Sequence, residues 1–124
     1  EDDLSVSCMP NALVLFNPVY DNGPDGFGYA KVKDRYEEIS PIHNLREGMP
    51  PTIVFLGAED KLIPVSTGEK FRDQMRELGN RSELVLYPGQ PHGFFNKGKP
   101  GDCFSKTMEE TDQFLVSLGW LSEK

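Results

Sequence analysis

Only two of the 124 residues are cysteine, Cys8 and Cys103, and they form no CxxC pair. That is too few for a disulfide scaffold, so the thiols are read as unpaired and the redox compartment stays open. Basic residues are also short: 13 Lys and Arg stand against 20 Asp and Glu, a formal charge of -7. A duplex-binding protein needs cations to displace phosphate counterions, so nucleic acid is not an expected partner. No apolar run approaches the roughly 18 residues of a membrane span, so none is expected. The acidic start "EDDLSVSCMP" lacks the features of a signal or transit peptide. Localisation is left unassigned.

Hydrophobic residues make up 37% of the chain and the mean hydropathy is -0.48, the balance of an ordinary soluble protein. The length suits one domain over 1–124, and a domain of this size buries about two-thirds of its unfolded surface. There is no internal repeat or low-complexity tract.

Three short apolar runs read as buried strands: "ALVLF" (12–16), "TIVFL" (52–56) and "SELVLY" (82–87). Continuous branched runs suit a parallel sheet covered on both faces, where neither side of a strand meets water. A helix is predicted between the second and third. Ser66 and Glu69 make a capping box, Phe71, Met75 and Leu78 form an apolar stripe, and Gly79 supplies a left-handed stop. A second helix is predicted from about Ser105 or Thr107 to Leu118. Its inner face takes Met108, Phe114, Leu115 and Leu118, and Trp120 and Leu121 fold back beyond Gly119. The 35 residues from Asn17 to Pro51 hold a weak helix near 31–38 among many prolines and glycines. A connection so long in a compact domain reads as a lip or lid.

The order is that of an α/β fold with a right-handed β-α-β crossover. Ligands of open α/β sheets collect outside the carboxyl ends of the strands. Asp60 lies four residues past strand 52–56 and His92 five past strand 82–87. If those strands are neighbours, the two loops emerge side by side. The carboxylate can then accept a hydrogen bond from Nδ1–H, fix the tautomer and support the imidazolium formed when Nε2 takes a proton.

"PPTIVFLGAEDKLIP" followed by "ELVLYPGQPHGFF" resembles the C-terminal portion of α/β-hydrolase-fold serine esterases. The similarity is to the acetyl-esterase and carboxylesterase group, with its dienelactone-hydrolase and prolyl-oligopeptidase relatives, and it covers about 12–118. It implies a partial α/β-hydrolase fold, of about three parallel strands with helices on both faces. These would be the sixth to eighth strands of the family fold, with Asp60 as triad acid and His92 as triad base. It implies a small ester as substrate and no cofactor. Ile63 and Phe94, close to Asp60 and His92 in sequence, are candidates for the acyl or alcohol pocket.

The family's nucleophile sits in G-x-S-x-G at a strand-to-helix elbow. No serine here is flanked by glycines at the positions that motif requires. The glycine-rich oxyanion segment is missing too. The family order places both upstream of Glu1, so the chain is expected to be a C-terminal piece, inactive alone.

His43 has no partner at catalytic spacing and is read as structural. No ligand pair has zinc-like spacing, so no metal is expected. Glu59 is read as a surface residue, and "YDNGPDGFGY" (20–29) as a substrate-contacting lip rather than a phosphate loop. Two alternatives stay open. One is a non-catalytic α/β binding or oligomerisation module; the other is a peptidase of the prolyl-oligopeptidase type, which shares the relay. With the neighbouring strand stripped away, the exposed edge of strand 12–16 is expected to allow self-association or domain exchange of the isolated fragment.

Overall fold

In the computed structural model, which describes residues 2–122, the apolar runs become β1 (Leu13–Phe16), β2 (Thr52–Gly57) and β3 (Ser82–Tyr87). They pair in parallel in the order β1-β2-β3, with Phe16 beside Phe55 and Leu56 beside Leu86. β2 is buried throughout, whereas β1 is only half-buried and β3 exposes Leu86. The uniform burial expected of all three therefore holds for the central strand alone. Among the described residues β1 and β3 are the sheet's edges, with a neighbour on one side only.

The segment between β1 and β2 contains two one-turn helices, α1 (Tyr29–Val32) and α2 (Tyr36–Ile39), and two short 3-10 turns. It is anchored rather than draped. Tyr20 is 3% exposed and stacks on Phe71 with ring centroids 3.7 Å apart. Ser40, wholly buried, donates from Oγ to the Tyr20 carbonyl and accepts the Asn22 N–H.

α3 (Val65–Glu77) joins β2 to β3, and α4 (Cys103–Ser117) follows β3. α3 lays Phe71 and Met75 with Tyr20, Ile42 and Val54 on one face of the sheet. α4 lays Cys103 and Phe114 on the other, with Ile53, Phe55, Tyr87 and Phe94. Alternate residues of β2 thus feed opposite cores, as the two-residue strand period requires. Helices cover both faces.

The capping box is not formed. α3 begins at Val65 with Pro64 as its N-cap and without a side-chain cap, so Ser66 and Glu69 lie inside the helix. Proline fixes an entry geometry that the sequence pattern of a serine start overlooks. The C-terminal stop is as expected: Gly79 has φ 75° and donates to the Arg76 carbonyl, and Asn80 N–H reaches Met75. Such a pair of reversed bonds closes a helix when a left-handed residue follows it.

α4 starts earlier than expected, and its buried positions are Cys103, Thr107 and Phe114. Met108 is correspondingly turned outward and 47% exposed, because Thr107 takes the inward place and returns its hydroxyl to the Phe104 carbonyl. Beyond Gly119 the Trp120 N–H does fold back to the Leu115 carbonyl. The Trp120 and Leu121 side chains stay about half-exposed. Both cysteines are free, Cys8 at the surface and Cys103 in the core.

Candidate active site

Since β2 and β3 are neighbours, the loops that leave their carboxyl ends run together. Ala58 N–H donates to the Tyr87 carbonyl and Glu59 N–H to that of Gln90, at 3.0 and 2.9 Å. Gly57 makes this approach possible. A Cβ at that position would stand 2.4 Å from the Gln90 carbonyl oxygen and 2.7 Å from that of Pro91, inside any allowed contact. The residue ending β2 therefore has no room for a side chain.

The chain then turns, with Asp60 N–H bonded to the Gly57 carbonyl. Asp60 Oδ1 accepts the N–H groups of Leu62 and Ile63 at 2.8 and 3.1 Å, an Asx turn that fixes the carboxylate's rotamer. Its other oxygen, Oδ2, stands 2.8 Å from His92 Nδ1. The Asp60 side chain is fully covered, while that of His92 is 46% exposed.

Burial is the largest single influence on the Asp60 carboxyl and acts to raise its pKa. It is outweighed by the N–H groups of Leu62 and Ile63 and by the bond and charge of His92, which hold the carboxyl below the usual aspartate value. An ionised Asp60 accepts a hydrogen bond from His92 Nδ1–H, leaving Nε2 as the ring's proton acceptor. That is the arrangement of a general base oriented by a buried acid.

Ile63 is 4% exposed and lines a cleft of about 190 Å3 between the lip and the start of α3, with Tyr20, Phe27 and Leu62. Phe94 is 2% exposed and packs in the α4 core against Tyr87 and Phe95, at 4.7 and 5.7 Å between ring centroids. It also reaches the floor of a separate hollow of about 370 Å3 beside His92, Lys99 and Pro100. Ile63 and Phe94 thus line different hollows. A larger hollow, about 860 Å3, is lined by residues of the C-terminal half of α4 and the tail, none of them in the relay.

His43 is exposed in the segment between β1 and β2, edge-on to the Tyr36 ring at 5.2 Å. Glu59 is at the surface. Among the described residues no three His, Cys, Asp or Glu side chains are grouped as a metal site would need.

Two residues that frame the site were not singled out by the sequence analysis. Gly57 is one; a glycine closing a buried strand was the available signal. Asn17 is the other. It follows β1, is 5% exposed and carries a left-handed backbone, φ 43°. Its Oδ1 accepts the Gly57 N–H at 3.4 Å. An Asn-Pro step directly after a strand was the only hint.

Comparison with known proteins bears on the fold and the family. Esterase 2 of Thermogutta terrifontis, in its apo form, superposes on the whole chain with a TM-score of 0.89 at 39% identity, over 48% of that protein. The same esterase has also been solved with propionate and with butyrate bound. Acetylxylan esterase of Xylanibacter ruminicola is 28% identical over 128 residues, 90% of this chain and 25% of that protein. Acylamino-acid-releasing enzyme 1 of Oryza sativa subsp. japonica is 30% identical over 59 residues, 48% of this chain and 8% of that enzyme. The chain thus spans about half the length of the solved esterase and at most a quarter of these two curated relatives. The profile of the prolyl oligopeptidase family, Peptidase_S9, matches residues 13–116. With its parallel sheet and the structural likeness to an esterase, this places the chain in the prolyl oligopeptidase family of α/β-hydrolase-fold proteins.

Proposed function

We propose that the chain supplies the acid–base half of a serine hydrolase acting on small carboxylic esters. His92 is the base, Asp60 orients it, and the serine and oxyanion donors come from sequence outside these 124 residues. The observation that carries the reading is the 2.8 Å bond from His92 Nδ1 to a fully covered Asp60 at the carboxyl edge of the sheet. In the reaction, Nε2 takes the serine proton as Oγ attacks the ester carbonyl. The imidazolium, held by Asp60, then gives that proton to the departing alkoxide. Water repeats the cycle on the acyl-enzyme and releases the acid.

A short acyl group is favoured by the likeness to an esterase that holds propionate or butyrate. Ile63 and Phe94 are the proposed pocket residues, Ile63 from the lip side and Phe94 from beneath the His92 loop. The test compares hydrolysis of p-nitrophenyl butyrate by this chain and by its His92→Ala variant. Equal, background rates are expected. A longer form that includes a G-x-S-x-G elbow should turn over the ester and lose that activity with His92→Ala. Turnover by the 124-residue chain that disappears in His92→Ala would overturn the missing-serine reading.

A second reading, a peptidase, is favoured by the similarity to an acylamino-acid-releasing enzyme. Similarity to acylamino-acid-releasing enzymes reaches 79% of the chain at 26% identity, against 90% at 28% for the acetylxylan esterase and the whole chain at 39% for the solved esterase, so the ester is preferred. Rates of the serine-containing form on p-nitrophenyl butyrate and on an N-acyl amino-acid p-nitroanilide separate the two.

A further inference from the structure

We propose that Asn17 is a positioning residue for the Asp60–His92 pair, its side-chain carbonyl standing in for a main-chain acceptor so that the lip can leave the sheet without loosening the site.

The strand geometry requires such a substitute. In the β1–β2 ladder Asn17 N–H donates to the Phe55 carbonyl at 2.9 Å. Continuing the parallel pattern by one step would give the Gly57 N–H to the main-chain carbonyl of Asn17. The chain instead turns away there, with φ 43° at a non-glycine residue that precedes Pro18. Left-handed backbone is uncommon outside glycine, and a following proline favours extended conformations. Asn17 Oδ1 takes the orphaned Gly57 N–H at 3.4 Å. Its Nδ2 is left buried with no partner among the described residues. A strained backbone and an unpaired donor are both local costs, and both follow from aiming one oxygen at Gly57.

Gly57 is the point from which the site is hung. Its carbonyl accepts the Asp60 N–H, and its Cα lies against the Gln90 and Pro91 carbonyls that lead into His92. Fixing the Gly57 peptide therefore fixes the loop of the acid and the loop of the base together. This rests on the relay reading above, and the experiment separates the two.

Ring nitrogen-15 shifts of neutral His92, in the 15N-labelled chain, report the ratio of its Nδ1–H to Nε2–H tautomers. Asn17→Gly keeps access to positive φ and removes the acceptor. Asn17→Asp keeps an acceptor oxygen. Asn80→Ala is the control for general destabilisation: it removes the side-chain bonds to Met49 N–H and the Arg46 carbonyl at the other end of the sheet. The unsubstituted chain should hold the Nδ1–H form. Asn17→Gly should lower the ratio about tenfold or more, the scale of one charge-assisted bond lost, while Asn17→Asp and Asn80→Ala preserve it. An unchanged ratio in Asn17→Gly, or an equal fall in Asn80→Ala, overturns the proposal. If Asn17→Gly does not fold, a lowered ratio in folded Asn17→Asp overturns it and a preserved one supports it. A solution-like mixture in the unsubstituted chain overturns the relay itself, and this proposal with it.

Discussion

His92 and Asp60, 32 positions apart in sequence, meet through a 2.8 Å contact in which the acid is covered and the base faces solvent. The asymmetry fits the roles proposed above. A carboxylate locked by two backbone N–H groups can orient but cannot move, whereas the ring nitrogen on the open side can exchange a proton with whatever approaches it.

Asp60→Asn should separate orientation from folding. The amide oxygen can still accept from Leu62 and Ile63, so the turn survives and the unfolding midpoint changes little. The amide nitrogen would then face Nδ1 and impose the wrong tautomer. In a serine-containing form kcat should fall about 10^3- to 10^4-fold with a small change in KM. Steady-state kinetics on p-nitrophenyl butyrate, beside a urea melt, check both halves.

The acid limb of the stability curve should carry the signature of Asp60. Its carboxyl titrates below the usual aspartate value when folded. The native state therefore holds fewer protons than the unfolded one between the two values. Its contribution is fully present above the unfolded carboxyl pKa and is lost as pH falls through the lowered one. A carbon-13 titration of Asp60 should show the lowered midpoint. Urea melts across the same range should show less acid sensitivity in Asp60→Asn.

Gly57→Ala should be among the most disruptive small substitutions in the chain. Gly57 is not a positive-φ glycine, so the obstacle is space: the new methyl would lie 2.4 Å from a carbonyl oxygen. The loops must part, at a cost of about 1–3 kcal/mol for overpacking. The loss should appear in a urea melt, and the His92 ring shifts should move towards those of a free imidazole. A variant as stable as the parent would show that the two backbones are not in contact.

Among the described residues β1 leaves its outer edge unpaired, and alternation along the strand turns the Val14 and Phe16 N–H groups outward, since those of Leu13 and Asn17 bond towards β2. Such an edge invites pairing with another chain. Sedimentation velocity should find concentration-dependent association, weakened in Val14→Pro, which removes one outward donor. A monomer at every concentration would contradict it.

Much of this was legible in the sequence, for physical reasons that differ by residue. The strands were readable because a central parallel strand is apolar on both sides, as Ile53, Val54, Phe55 and Leu56 are. The meeting of Asp60 and His92 was readable because each closes a strand-loop unit whose boundaries are marked by Gly and Pro. The start of α3 was misread because Ser66 matches a capping pattern that Pro64 pre-empts. Met108 was misplaced because Thr107, polar by type, satisfies its own hydroxyl and packs inward. Asn17 and Gly57 were not legible, since their importance lies in main chain meeting main chain across segments 17, 57 and 90.

The placement of the two thiols gives the molecule an internal clock. Cys8 is open to reagents, whereas Cys103 is 3% exposed in the same apolar cluster as Phe94, two residues beyond His92. Alkylation of Cys8 should be immediate, and that of Cys103 should wait on the lifting of α4 from the sheet. Its rate therefore measures how often the floor beneath the histidine loop comes apart.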